Sequence, residues 1–186
     1  MKATPSAIPD VVLIEPKVFG DARGFFFESF NQKGFAEATG YDGPFVQDNH
    51  SRSATGTVRG IHFSRRGQAK LVRCTRGSIL DVLVDLRRGS PTFGQWEGFE
   101  LDDRELRILY CPVGFGHGFC VTSDVADVVY KLSSYYDAEF ERGIAYDDAD
   151  VGIAWPDLDL TVSERDATAP RLRDVADELP FEYGGT

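Results

Sequence analysis

His50, His62 and His117 are the only three histidines in the chain. His62 stands in "VRGIHFSRRGQAKLVR", Val58 to Arg73, a stretch with four arginines, one lysine and no carboxylate. The acid-free window is wider still. From Ser51 to Leu80 there is no Asp or Glu, while Arg52, Arg59, Arg65, Arg66, Lys70, Arg73 and Arg76 fall inside it. Imidazole titrates near neutral pH and is a natural general base, best oriented by a carboxylate behind it. Guanidinium forks match phosphate oxygens, so the window predicts a pocket for a small polyanion such as a diphosphate, with some of its side chains simply solvated. Arg59, His62 and Lys70 would set a base beside anion-binding cations, and positions 62 and 70 share a face if the turn between them keeps register. A matching acid is a phenol. "VVYKLSSYYD" puts Val128 and Tyr130 on one strand face, with Tyr135 and Tyr136 beyond. Packing accounts for at least one of these tyrosines. Another, facing His62 across a cavity, could return a proton to the opposite side of a carbon.

Other chemistries find less support. "CPVGFGHGF" places His117 after a Pro-x-Gly-x-x-His turn, a pattern also seen in the second motif of metal-binding cupins. A site of that kind draws a His-x-His pair and a Glu from its first motif. The corresponding stretch, Gly60 to Ser64, offers one histidine and no carboxylate. Two isolated histidines make a poor transition-metal site, so the expectation is no metal and no cofactor, with a metal-dependent cupin enzyme as an alternative. Ser51, Ser53 and Ser64 lie near His62 without a nucleophile elbow, and no Gly-x-Gly-x-x-Gly or Walker-type loop occurs.

The elements that must position these residues read as short strands. "VVLIEPKVF", "GFFFESF", "AKLVRCT", "SILDVLVDL", "FGQWEGFEL", "RILYCP", "GFCVTS" and "DVVYKLSSYY" are rich in Val, Ile, Phe and Tyr and are separated by Gly, Pro, Asp and Ser. In "SILDVLVDL", Leu80, Val82, Val84 and Leu86 alternate onto one face. Helical signals are few: "QKGFAEATG", ended by Gly40, and "RLRDVADEL", ended by Pro180. The pattern predicts an all-β antiparallel sandwich or jelly-roll barrel with a few short helices, with residues 1–186 as a single domain.

Bulk properties narrow the partners. With 186 residues, 42% hydrophobic and 27% charged, the chain can bury a full core. Lys+Arg 20 against Asp+Glu 30 gives a net charge of -10, which disfavours binding to a nucleic-acid polymer. No apolar run reaches membrane-span length, and "MKATPSAIPD" lacks the apolar stretch of a secretion signal. Cys74, Cys111 and Cys120 are an odd number without a CxxC pair, pointing to reduced thiols in the cytoplasm.

Taken together, the motifs resemble one family, the dTDP-4-dehydrorhamnose 3,5-epimerases and their deoxysugar-pathway relatives. The matching segments are "VFGDARGFFFESF", "FVQDNHSRS", "VRGIHF", "QAKLVR", "DVLVDLRRGSPTFGQW", "PVGFGHGF", "VVYK", "ERGI", "IAWP" and "SERD", in order from Val18 to Asp166. Each is weak alone; their order and number are specific. The resemblance implies a cupin-type jelly roll without metal, assembled as a homodimer with an N-terminal strand segment taking part. It implies inversion of C3, C5 or both in a dTDP-linked 4-keto-6-deoxyhexose through an enolate, with a monofunctional 3- or 5-epimerase as the alternative. Carried over by motif, His62 is the base, Asp166 its partner, Tyr130 the acid and Lys70 the enolate stabiliser. Arg59, His117, Glu141, Arg165 and Gln47, Asp48 and Asn49 match substrate contacts. Arg23 and Glu28 match nucleotide-side contacts that reach the neighbouring subunit. This chain departs from the pattern at a His62–Lys70 segment two residues shorter than usual, at Ser64 for Gln, at Arg165 for Lys and at Gly116 for Ala.

Overall fold

The computed structural model describes residues 2–184. Six strands form one sheet in the order β1 (Lys2–Pro5), β2 (Val12–Glu15), β10 (Ile108–Cys111), β7 (Lys70–Arg76), β12 (Val125–Leu132) and β5 (Gln47–Ala54). Five form a second: β13 (Glu141–Gly143), β6 (Val58–Ser64), β11 (Phe115–Val121), β8 (Ser78–Asp85) and β9 (Trp96–Asp102). The neighbours in both sheets pair antiparallel. The separate hairpin β3 (Val18–Asp21) and β4 (Gly24–Phe27) leaves Val18, Phe19, Phe25 and Phe26 exposed. This is the expected all-β, cupin-type jelly roll.

The sheets face each other across a core of Val72, Cys74, Leu83, Phe119 and Val128. The alternation in "SILDVLVDL" holds. Val82, Val84 and Leu86 face outward, but onto a second apolar layer with Leu172, Leu179 and Phe181, so β8 is buried on both faces. A third layer sets Phe35 against Ile14, Leu71 and Tyr110. Phe35 comes from α1 (Gln32–Thr39), which is capped by Asn31 and ended by Gly40 at φ 75, a left-handed value that glycine adopts without strain. "RLRDVADEL" forms only α3 (Leu172–Val175) and a 3-10 turn, Ala176–Glu178. "VVLIEPKVF" splits at Pro16 into β2 and β3, and β12 ends before Tyr135 and Tyr136.

A buried ionic knot closes the turn after β8. The Asp85 carboxylate is fully buried and accepts from Arg87 Nε at 2.9 Å and Nη2 at 2.8 Å, Ser90 Oγ at 2.6 Å and Thr92 Oγ1 at 2.7 Å. Burial alone would raise its pKa, yet these donors hold it below the usual carboxylate value. Arg87 also reaches Asp10 Oδ2 at 2.6 Å, tying the N-terminal segment to the barrel. That gives the "DLRRGSPT" part of the motif a structural task. Arg87→Ala leaves the Asp85 charge without its guanidinium and is expected to cost about 3 kcal/mol. A urea-unfolding midpoint shifted at constant slope measures it.

Candidate active site

His62 reaches the barrel interior through an irregularity in β6. Against β11, His117 pairs with His62 and Phe119 with Arg59, so three steps on β6 match two on β11. A regular strand would put Arg59 and His62 on opposite faces; the bulge brings both to one cavity. Gly60 permits it. Its φ is +139, and a Cβ there would lie 2.5 Å from Gly118 Cα and 2.9 Å from His117 O. The neighbours Ile61 and Phe63 point instead into the outer apolar layer.

Lys70 arrives differently from the expectation. The segment after His62 does not fold back as a hairpin in register; β6 and β7 lie in opposite sheets. Lys70 shares the inward face of β7 with Val72 and Cys74, so it meets His62 across the barrel, and its Nζ lies 3.4 Å from His62 O. The parity of 62 and 70 is incidental. Tyr130 shares the inward face of β12 with Val128.

Asp166 comes from α2 (Glu164–Ala167). The Oγ of the capping residue Ser163 accepts from the Asp166 amide, which fixes the turn. Asp166 Oδ1 lies 2.6 Å from His62 Nε2, and Oδ2 accepts from the Gly60 amide at 3.3 Å. With Nε2 held by Asp166, Nδ1 is the His62 nitrogen left for a substrate. Arg59, His62, Lys70, His117, Tyr130 and Asp166 line one cavity of about 490 Å³, together with Arg165. A neighbouring cavity of about 260 Å³ shares His62, Arg165 and Asp166 and adds Glu141.

The electrostatics follow from burial. Burial pushes Lys70 below the usual lysine pKa against the pull of Cys111, Glu141 and Asp81, so an arriving anion would favour its ammonium form. Burial raises Glu141, opposed by Lys70, His62 and Arg165. Burial also lowers His117, although Asp81 Oδ2 sits 3.0 Å from its Nε2, favouring the neutral ring. For Asp166 burial acts upward, but the hydrogen bond and charge of His62, with the Gly60 and Ser163 contacts, bring it below the ordinary 3.8.

Not every expected residue lies in this cavity. Arg23 sits at the tip of the β3–β4 hairpin with Asp21, and Glu28 accepts from Asn31 Nδ2 at 3.3 Å. On β5, Gln47 Nε2 donates to Asn49 Oδ1 at 2.9 Å on the inward side. Asp48 faces outward to Lys131, 2.9 Å away. Tyr135 and Tyr136 are exposed. The sequence reading missed Asp81, a carboxylate hidden in an apolar alternation. It also missed Ser53, whose Oγ accepts from Arg59 Nε at 3.0 Å. Among the described residues no group of three or more His, Cys, Asp or Glu is placed to hold a metal ion.

Residues 5–174 match the family model described as dTDP-4-dehydrorhamnose 3,5-epimerase. The chain belongs to that family. The dTDP-4-dehydrorhamnose 3,5-epimerase of Pseudomonas aeruginosa is 53% identical over 177 residues, covering 94% of this chain and 98% of the relative. The fold matches that of dTDP-6-deoxy-D-glucose-3,5-epimerase from Legionella pneumophila, solved in complex with dTDP-4-keto-L-rhamnose. That TM-score is 0.96, at 43% identity and 99% coverage of both chains. A 3'-monoepimerase from Streptomyces bikiniensis, in complex with dTDP-quinovose, matches with a TM-score of 0.90 at 39% identity, covering 96% of this chain and 91% of that one. The dTDP-4-dehydrorhamnose 3,5-epimerase resemblance in the motifs is therefore borne out, and the chain is an isomerase.

Asp166→Asn retains the shape but not the charge that holds His62. Turnover is expected to fall by about ten-thousandfold, by analogy with loss of the orienting carboxylate in other His–Asp pairs, with the fold kept. Because the native Asp166 pKa is depressed, its stabilisation is present above the ordinary 3.8 and is lost as pH falls through the lower native value. Stability measured against pH should therefore show the wild type losing its advantage over the Asn variant as pH falls below 3.8, so that the two curves converge in acid.

Proposed function

We propose that the chain inverts C3, C5 or both in a dTDP-linked 4-keto-6-deoxyhexose, with His62 as the base. The observation that carries this reading is the 2.6 Å His62–Asp166 contact in a cavity that Lys70 and Tyr130 also line. The 4-keto group acidifies the hydrogens on both flanking carbons. His62 Nδ1 takes one such proton, and the electron pair of the C–H bond moves onto the C4 oxygen as an enolate. Lys70 stabilises that oxygen, and Asp166 stabilises the imidazolium. The Tyr130 hydroxyl delivers a proton to the opposite face and the carbonyl re-forms; the phenolate then takes a proton from solvent and the His62 imidazolium releases one to it. No electrons are gained or lost overall, so the sequence of steps calls for no redox cofactor.

Arg59 and Arg165 suit the diphosphate, and His117 and Glu141 the sugar. The exposed Phe19, Phe25 and Phe26 beside Arg23 support a homodimer in which the β3–β4 hairpin covers the partner and carries Arg23 and Glu28 to its nucleotide. Three buried free thiols suit a reducing cytoplasm, and among the described residues no helix is long and apolar enough to cross a membrane.

Turnover of dTDP-4-keto-6-deoxyglucose in heavy water, followed by NMR, is expected to place solvent deuterium at C3 and C5. Label at one carbon alone would identify a monoepimerase. His62→Asn should slow exchange by at least about a thousandfold while dTDP still binds; undiminished exchange in the folded variant would rule out the base assignment. Phe26→Asp is expected to give a monomer by light scattering, with weakened dTDP binding.

A further inference from the structure

Asp81 is a carboxylate where an apolar residue would be expected. It lies on the inward face of β8 between Ile79 and Leu83 and is completely buried. A side chain in that position costs stability unless it is paired, so it calls for an explanation. Its Oδ2 lies 3.0 Å from His117 Nε2, and its Oδ1 has no hydrogen-bond partner among the described residues. Asp81 does not line the cavity, whereas His117 does. The hydrogen bond of Asp81 therefore acts through the His117 ring, while its charge also favours the ammonium form of Lys70. Register places the ring beside the reacting centre, because His117 pairs directly with His62 across β11 and β6.

A carboxylate oxygen only accepts hydrogen bonds. Pairing with Asp81 thus puts the His117 proton on Nε2 and leaves Nδ1 with a lone pair. A ring in that state cannot donate to a developing enolate; it can accept from a hydroxyl. Lys70 has three N–H donors and, among the described residues, only the long 3.4 Å contact to His62 O. The donor and acceptor duties around the sugar are divided between two neighbouring side chains.

We propose that Asp81 is a positioning residue that locks His117 in its Nε2–H form, so that His117 Nδ1 accepts a hydrogen bond from a ring hydroxyl of the substrate and Lys70 alone donates to the C4 oxygen. The proposal rests on the epimerase reading, but the tautomer can be observed without turnover. Two-bond nitrogen–proton NMR on protein carrying ¹⁵N-histidine, with the His117→Asn variant to assign the signal, should show His117 as the neutral Nε2–H form in the resting enzyme. A Nδ1–H form, or an imidazolium at neutral pH, would overturn the proposal even if epimerisation is confirmed. Asp81→Asn replaces the acceptor with an amide that can accept or donate, so the Nδ1–H form should become populated. KM for dTDP-4-keto-6-deoxyglucose should then rise about tenfold while affinity for dTDP alone stays unchanged. A variant that binds and turns over the sugar like the wild type, or that weakens dTDP and the sugar nucleotide equally, would count against it. Should Asp81→Asn fail to fold, the resting-state tautomer still decides.

Discussion

The hydrogen bond between His62 and Asp166 joins residues 104 positions apart and sets the requirements that the surrounding structure meets. Ionisable groups inside a barrel lose their hydration, and only tight pairing makes this tolerable. The Asp166 carboxylate meets that requirement with the His62 ring and the Gly60 amide. Burial shifts three further ionisable groups of the site. Lys70 and His117 are pushed toward neutrality and Glu141 toward protonation, each opposed by charges on its neighbours. The cavity thus suits an anionic guest, whose charge would oppose the effect of burial on Lys70 and favour its ammonium form.

The same requirement explains where the irregular backbone falls. Asp166 meets both His62 and the Gly60 amide where β6 departs from a regular pleat, and that departure falls at a glycine. The glycine opposite, Gly118, is equally confined, since a Cβ there would lie 2.8 Å from Arg59 O. Apolar layers on both sides of the five-stranded sheet then hold these backbones rigidly, as a site working by proton transfer over fixed distances requires.

The short segment between His62 and Lys70 finds its task in the loop that follows β12. Arg66 pairs with Asp137 at 3.2 Å and stacks over Phe140 at 3.7 Å, while the Arg65 amide donates to Phe140 O. Gln68 Nε2 and the Ala69 amide bind Ser134 and Ser133. Arg66 therefore leaves the anion cluster that composition assigned it to, because its charge is spent on an exposed loop. Basic residues adjacent in sequence divide between cavity and surface according to which sheet the chain is entering.

Much of the site was legible in residue types. A lone His among cations and a Tyr on a strand face are chemically informative, while Asp166 was indicated only by the resemblance that the ordered motifs carry. Period-two alternation also showed the strands, because a pleated backbone alternates its side chains whatever lies beyond it. Alternation could not show that both faces of β8 are covered, that "QDNHSRSA" is a strand, or that Asp81 is buried, since these depend on what packs against each face. It also misplaced Lys70, because parity assumes one continuous sheet and the chain changes sheets between positions 62 and 70. The sequence by itself determined the inventory of acids, bases and cations and the strand periodicity, both local covalent properties. Tertiary structure alone decided which carboxylate meets His62 and which meets His117, and which cations share a cavity, because those depend on contacts between residues far apart in the chain.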